Sequence, residues 1–324
     1  MTPCVSILVP TYNREAFIGQ CIESALDQKY TDFEIVVVDN ASTDSTLSIC
    51  NSYAERDSRI RVFLNDSNIG PVKNWERCIA LARGKYGKLL FSDDMMMPDF
   101  LSETVQYFQS SEIAFVSTAA VIGETPETGK VSFGEGESVE VISSAEYFKR
   151  LSRGYPAAPV SPGAALFRLA DLRRNLMLDI PTATPHDFAA NGAGPDVLLF
   201  ALTAREYPVV AQVKKPLVFF RKHEGSFTIV NEDNAVSEGY ALALSWFFRT
   251  RTLSSDWATW VARIWLRTVL REKRLVGPGS VAKRYSGEKF LPDACRILIA
   301  SCFVVFSKIW RSLVRCLVPS RLAG

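Results

Sequence analysis

The chain has 324 residues, 48% of them apolar and 22% charged, and a formal net charge of +2. These proportions exclude a disordered chain, and the length allows a large core in two domains or in one domain with an appendage. The near-neutral total conceals a division, for residues 241–324 carry 15 Lys+Arg against 4 Asp+Glu while the rest carries 22 against 31.

Apolar runs and helical spacings alternate from the start. Residues 5–9 form a short strand-like run, and Phe17, Ile18, Cys21, Ile22 and Ala25 then recur at helical spacing across 15–28. A second β-rich run, 33–38, closes at Asp39-Asn40, after which Ser42 or Thr43 is placed to cap a helix over 45–55. A third run, 60–64, leads through the turn NDSNIG to a helix face of Val72, Trp75, Cys78, Ile79 and Ala82, stopped at Gly84. Residues 88–91 make a fourth strand. Strands and helices alternating in this way predict an α/β fold with a doubly wound parallel sheet.

In such sheets ligands bind beyond the carboxyl ends of the strands. The polar clusters 10–13, 39–44, 65–70 and 92–94 all fall at those ends and are expected to converge. Farther on, the Gly, Glu and Thr-rich stretch 123–138 reads as an exposed hairpin or loop, 145–151 as a helix start and 161–167 as a strand. The segment PTATPHDFAANGAGPD, 181–196, has little periodicity and reads as a mobile loop feeding a helix over 196–206. A strand over 217–220 and the cluster RKHEGS follow.

The basic tail holds five of the six tryptophans, Trp246, Trp257, Trp260, Trp265 and Trp310. Arg263, Arg267, Arg271 and Arg274 recur at helical spacing opposite Trp260, Ile264 and Trp265, and Lys308, Arg311 and Arg315 repeat the pattern beside Phe306, Ile309, Trp310 and Leu313. Two basic amphipathic helices with Trp at their margins suit an anionic membrane surface; docking on the rest of the chain or on a second subunit is the alternative. The charge-free run 297–307 is about half of what a spanning helix needs. The seven cysteines, 4, 21, 50, 78, 295, 302 and 316, form no CxxC pair and read as reduced, buried thiols. No signal peptide is read at the start, so the expected place is the cytoplasm, peripheral on the inner face of the cell membrane.

The chemistry concentrates in LLFSDDMMMPDF, residues 89–100. Asp93 and Asp94 repel each other unless something positive lies between them, either a divalent metal or a cationic side chain. The first turn, PTYNREAF, lacks the glycines of a dinucleotide site, no P-loop motif is present, and two histidines supply too few ligands for a zinc enzyme. Oxygen ligands suit Mg²⁺ or Mn²⁺, which complete their shells with water and substrate phosphates. Asp39, Asn40, Ser42, Asp44 and Asn68 offer hydrogen bonds to a base and a ribose.

VSILVPTYN, EIVVVDNASTDST and NIGPVKNWERCIALARGKYGKLLFSDD together resemble glycosyltransferase family 2, closely over residues 4–110 and loosely to 228. The resemblance implies the GT-A fold, a Rossmann-like, mostly parallel sheet with flanking helices, here with a basic helical C-terminal extension. It implies a nucleotide-binding half over 1–120, an acceptor-binding half over 121–235, and a helical region over 236–324. Pro10, Thr11 and Tyr12 would pack on the nucleobase and Asp39 would hydrogen-bond it, with Asn13, Asn40, Ser42, Asn68, Asn74 and Asp93 completing the nucleotide set. Asp93 and Asp94 match the metal-binding acids, although Phe91 stands where many members carry a further acid, which leaves open which acid holds the metal and which the ribose. Arg221 and His223 match a segment near the diphosphate. Asp196 matches the general base, with Asp187 as runner-up.

The expected function is inverting transfer of a sugar from a nucleoside-diphosphate sugar, a UDP-sugar first among them, to a saccharide or polyprenyl-linked acceptor in surface-polysaccharide assembly. The expected partners are that donor and acceptor, an anionic membrane and a second copy of the chain, with no nucleic acid. A catalytically silent nucleotide-sugar-binding scaffold and a sugar nucleotidyltransferase are the alternatives.

Overall fold

The computed structural model describes residues 2–134, 136–153, 161–190, 192–224, 235–251, 254–272 and 283–285. The chain divides into two units, the first comprising Met1–Tyr147, Pro156–Ile180 and Asp187–Tyr240, the second Phe148–Tyr155, Pro181–His186 and Ala241–Gly324.

The first unit is built on a ten-stranded sheet. Strands β1 (Val5–Thr11), β2 (Phe33–Asp39), β3 (Ile60–Leu64) and β4 (Tyr86–Leu89) are parallel, in the spatial order β3-β2-β1-β4. Helices α1 (Ile18–Leu26), α2 (Thr46–Ala54) and α3 (Pro71–Leu81) connect them, as the alternating pattern requires. Every residue of β1 and β2 is buried, so these strands read as continuous apolar runs rather than alternating ones. The register sets Thr11 opposite Asp39 and Asp39 opposite Leu64, which brings the loops after all three strands to one level.

Beyond β4 the sheet continues through β9 (Ala165–Arg168), β6 (Ile113–Gly123), β10 (Val209–Arg221) and the two-residue β5 (Met95–Met96); β7 (Lys130–Ser132) pairs with β6 and β8 (Val139–Ser143) with β10. β6 and β10 are parallel, whereas β9 runs antiparallel to both β4 and β6. Helices α4 (Phe100–Val105), α5 (Ser144–Arg153), α6 (Leu169–Asn175) and α7 (Pro195–Glu206) complete the order up to β10. The boundary expected at residue 120 falls inside β6, so one sheet carries both halves.

β10 is much longer than the strand expected over 217–220. Its register shifts on both sides of Pro216, a residue that cannot donate to the ladder and is accommodated by bulges. Ser42 and Thr43 do not cap α2, whose N-cap is Ser45. Cys21, Cys50 and Cys78 are buried free thiols, and burial pushes all three upward, which keeps them protonated and inert.

In the second unit, α8 (Ala235–Arg251, whose residues from Ala241 belong here) and α9 (Ser254–Glu272) meet through aromatic side chains. Phe247 lies 5.4 Å from Phe148, Phe248 lies 5.9 Å from Trp260, and Trp260 Nε1 donates to Ser245 Oγ at 3.0 Å. Trp246, Trp257 and Trp260 are all buried. This corrects the reading of these tryptophans as a membrane-interface belt, because burial in helix packing removes more apolar surface from water than a margin position could. The basic side of α9 persists, with Arg263 partly exposed over the Trp260 ring and Arg267 exposed. Arg274, Lys308, Trp310, Arg311 and Arg315 lie outside the described residues, as do Cys295, Cys302 and Cys316. Among the described residues no helix is long and apolar enough to cross a membrane.

Candidate active site

A cleft of about 940 Å³ opens beyond the carboxyl ends of β1, β2 and β4, and all four polar clusters contribute to it or to its support. Pro10, Thr11, Tyr12, Asn40, Asn68, Asn74, Asp93 and Asp94 line it, as do Asp196 and Arg221.

The nucleotide side is organised by loops that bond one another. Asn13, at φ 50°, donates its backbone N–H to Ser42 Oγ at 2.9 Å and accepts the Thr43 N–H on Oδ1 at 2.8 Å. Asp39 Oδ1 accepts the Ser42 N–H at 2.7 Å. Asn40 is saturated: Oδ1 accepts from Asn65 Nδ2 and Ile69 N, while Nδ2 donates to Asn68 Oδ1 and the Gly70 carbonyl. Asn74 donates to the Val38 carbonyl and accepts from Asn65. Asn40 and Asn74 therefore shape the floor by tying β2, β3 and α3 together, more than they offer free amides to a ligand. Among the described residues, three buried oxygens at these strand ends have no partner: Thr11 Oγ1, Asp39 Oδ2 and Asn65 Oδ1. Asp39 itself is fully buried and does not line the cleft.

The acid pair is ringed by basic side chains. Asp93 Oδ2 lies 3.1 Å from His223 Nε2 and 3.6 Å from Arg14 Nε. Arg221, at the end of β10, donates its backbone N–H to Asp94 Oδ1 at 3.0 Å and its Nε to the Asp93 carbonyl at 3.0 Å, which fixes the turn. Below them Lys88 of β4 is fully buried, with Nζ donating to the carbonyls of Leu89 and Gly163. Burial pushes Lys88 down to about 7, opposed by the nearby Asp94 charge. Burial, and then the Asp93 charge, push Asp94 well above the usual carboxylate range. The question raised by the adjacent acids thus has cationic side chains as part of its answer.

A metal still fits. Among the described residues Asp93 Oδ1 and Asp94 Oδ2 receive no hydrogen bond, and both residues face the cleft. Two carboxylate oxygens are what Mg²⁺ or Mn²⁺ takes from a protein when water and substrate phosphates supply the rest.

Asp196 also lines the cleft, from the first turn of α7. Oδ1 accepts the backbone N–H groups of Gly194 (2.9 Å) and Val197 (2.6 Å), and Oδ2 accepts the Tyr240 hydroxyl at 2.6 Å. Burial raises this carboxyl to about 7, against the pull of those donors. Gly194 at φ 122° and Gly192 at φ 74° permit the turn, and a Cβ on Gly192 would stand 2.3 Å from the Trp75 ring. Asp187, in contrast, is exposed, accepts the N–H groups of Ala189 and Ala190, and is not among the lining residues. Asp196 lines the same cleft as the acid pair, and its runner-up does not.

The model of family 2 glycosyl transferases matches residues 6–176, more than half of the chain. The chain belongs to glycosyltransferase family 2. The glycosyltransferase GlyG of Streptococcus pneumoniae is 30% identical over 112 residues, 35% of this chain and 37% of GlyG. Chondroitin synthase of Escherichia coli is 37% identical over 107 residues, 33% of this chain and 16% of the synthase. The chain thus spans less than half the length of these curated family 2 relatives. Among solved structures, residues 1–349 of Staphylococcus aureus TarS in complex with UDP-GlcNAc superpose with a TM-score of 0.59, covering 95% of this chain and 92% of that one at 17% identity, a likeness of GT-A fold.

Several residues of this family 2 site were not legible beforehand. Arg14 and Lys88 looked like ordinary surface and strand positions, since only the parallel register and the β4 turn bring them to the acids. Tyr240 lies 44 residues from Asp196, and no local pattern announces that pairing.

Proposed function

We propose that this chain is an inverting, metal-assisted transferase that moves one sugar from a nucleoside-diphosphate sugar, a UDP-sugar, to a saccharide acceptor in surface-polysaccharide assembly. The observation that carries this reading is that Asp196, a carboxyl near neutrality, and the Asp93–Asp94 pair line one cleft at the carboxyl ends of the sheet. UDP is favoured because TarS of the same fold was solved with UDP-GlcNAc and with UDP. The likeness to chondroitin synthase supports the polysaccharide class.

In this reading Pro10, Thr11 and Tyr12 pack on the base, while the buried Asp39 holds the Ser42 loop from beneath. Asp93 and Asp94 would hold Mg²⁺ or Mn²⁺, which when bound offsets the negative charge of the departing diphosphate. Arg221 and His223 hold the acid turn in place, while Lys222 lines the cleft as a further positive charge. The acceptor hydroxyl forms a bond to the anomeric carbon as the bond from that carbon to the diphosphate breaks. Its proton passes to Asp196, whose raised pKa suits a base working near pH 7. Opposite-side attack inverts the anomeric centre.

The reading extends to a polyprenyl-linked acceptor and a peripheral place on an anionic membrane, supported by Arg263 and Arg267 on α9 and by the basic residues that follow. Flotation of the full chain with anionic phospholipid vesicles tests this part. Release of UDP from UDP-GlcNAc and other UDP-sugars, compared with Asp196→Asn, tests the transferase itself: loss of release in the variant is expected, and unchanged release would remove Asp196 from the reaction.

A further inference from the structure

The carboxylate of Asp196 has about four accepting positions, two on each oxygen. Gly194 N and Val197 N fill both on Oδ1, at 2.9 and 2.6 Å. Tyr240 fills one on Oδ2, at 2.6 Å. Among the described residues one position remains, and it lies on the cleft-lining side chain of a residue that is otherwise buried.

We propose that Tyr240 is a positioning residue for the transfer reaction, leaving a single lone pair of Asp196 Oδ2 to receive the acceptor's proton. This rests on the reading of Asp196 as the base. Two features support it. Tyr240 also lines the cleft, so the hydroxyl and the carboxylate form part of one wall beside the acceptor space. The phenol is partly buried against Asp196, and desolvation together with the Asp196 charge pushes it well above its ordinary value, so it keeps its proton and acts only as a donor. Tyr240 lies beyond residues 6–176, outside the segment matched by the family model.

The effect belongs to geometry as well as charge. With Tyr240 in place the proton has one destination; with the hydroxyl gone, two lone pairs of Oδ2 compete and that oxygen loses its fixed donor, although Oδ1 keeps its two backbone bonds. Misplacing a general base in this way costs roughly 10-fold to 100-fold in turnover while leaving donor binding intact. The other charged groups lining the cleft are Asp93, Asp94, Arg14, Arg221 and Lys222, and the phenol of Tyr240 is the titratable side chain that bonds Asp196 directly.

Tyr240→Phe removes one oxygen atom and leaves Asp196 its two backbone donors, so the fold is retained. The full chain, labelled with ¹³Cγ-aspartate, gives the titration midpoint of Asp196 directly, with Asp196→Asn identifying the resonance. UDP release from UDP-GlcNAc gives kcat and the donor KM. In Tyr240→Phe the midpoint should rise, because a bond favouring the charged form is gone, and kcat should fall roughly 10-fold to 100-fold with donor KM unchanged. An unmoved midpoint would overturn the proposal, and so would a raised midpoint with wild-type kcat. If Asp196→Asn itself releases UDP at the wild-type rate, the base assignment fails, a result separate from the midpoint of the Phe variant.

Discussion

His223 Nε2 lies 3.1 Å from Asp93 Oδ2, so the end of β10 reaches back to the acids that follow β4. The imidazole lies 4.6 Å from the ring of Phe17, just before α1, tilted 43° to it, and the guanidinium of Arg221 lies 5.2 Å from the same ring. One aromatic side chain at the edge of the nucleotide side thereby props both basic residues against the acid turn. Replacing His223 by Ala removes a partner of Asp93 and should weaken UDP binding roughly tenfold, as read by titration calorimetry in the presence of Mn²⁺. An unchanged dissociation constant would show that His223 packs on Phe17 and does nothing for the donor.

Asp196 makes stability depend on pH in a stated direction. Its folded value, about 7, lies above that of an unfolded aspartate, so the folded state holds the proton more tightly between the two. The contribution is fully present below about pH 4 and is lost as pH rises through about 7. Asp196→Asn should remove this decline. Urea midpoints measured from pH 4 to 8 on both proteins check it, and parallel curves would contradict the buried, raised carboxyl.

Gly192 sits at φ 74° with its α-carbon against Trp75, ahead of the helix that carries Asp196. Alanine there adds left-handed backbone strain and drives a methyl into the indole, for a combined cost of about 2–4 kcal/mol. Chemical denaturation should show that loss, and a loss under 1 kcal/mol would mean that the turn relaxes away from Trp75 at little cost.

Trp260 distinguishes a packed helix pair from a membrane belt. It is 4% exposed and bonded to Ser245, so Trp260→Ala should cost about 3–5 kcal/mol in lipid-free buffer. A belt tryptophan would lose vesicle affinity and keep its melting temperature.

The sequence made β1, β2 and β4 legible because each is buried throughout and mostly apolar between helices of clear period, and β3, buried only at Ile60, because Ile60, Val62, Phe63 and Leu64 keep a β-rich run. It made the acid pair legible because two adjacent carboxylates after such a run have no structural excuse. β10 was not legible in full, since Lys214, Lys215 and Pro216 interrupt its apolar pattern; the two lysines fall in the bulge between Val213 and Pro216, and the ladder with β6 resumes at Pro216. Lys88 was hidden by the same burial that makes it interesting, as one lysine in a strand reads as an edge residue until the sheet closes around it. Trp246, Trp257 and Trp260 misled through composition, which counts Trp and Arg together but says nothing of which face each takes. Asp187 and Asp196 lay nine positions apart in one Gly-rich segment; only the turn at Gly192 and Gly194 decides which of them enters the cleft.

The most direct measurement is heat unfolding of the full chain with UDP, GDP, dTDP and CDP, with and without Mn²⁺, beside an Asp93→Ala, Asp94→Ala double variant. Stabilisation by UDP that requires Mn²⁺ and vanishes in the double variant is the expected result; at a hundredfold excess over the dissociation constant it amounts to about 2.7 kcal/mol. Equal stabilisation of the double variant, or none of the wild type by any nucleotide, would contradict the assignment of the acid pair to a metal-held nucleoside diphosphate.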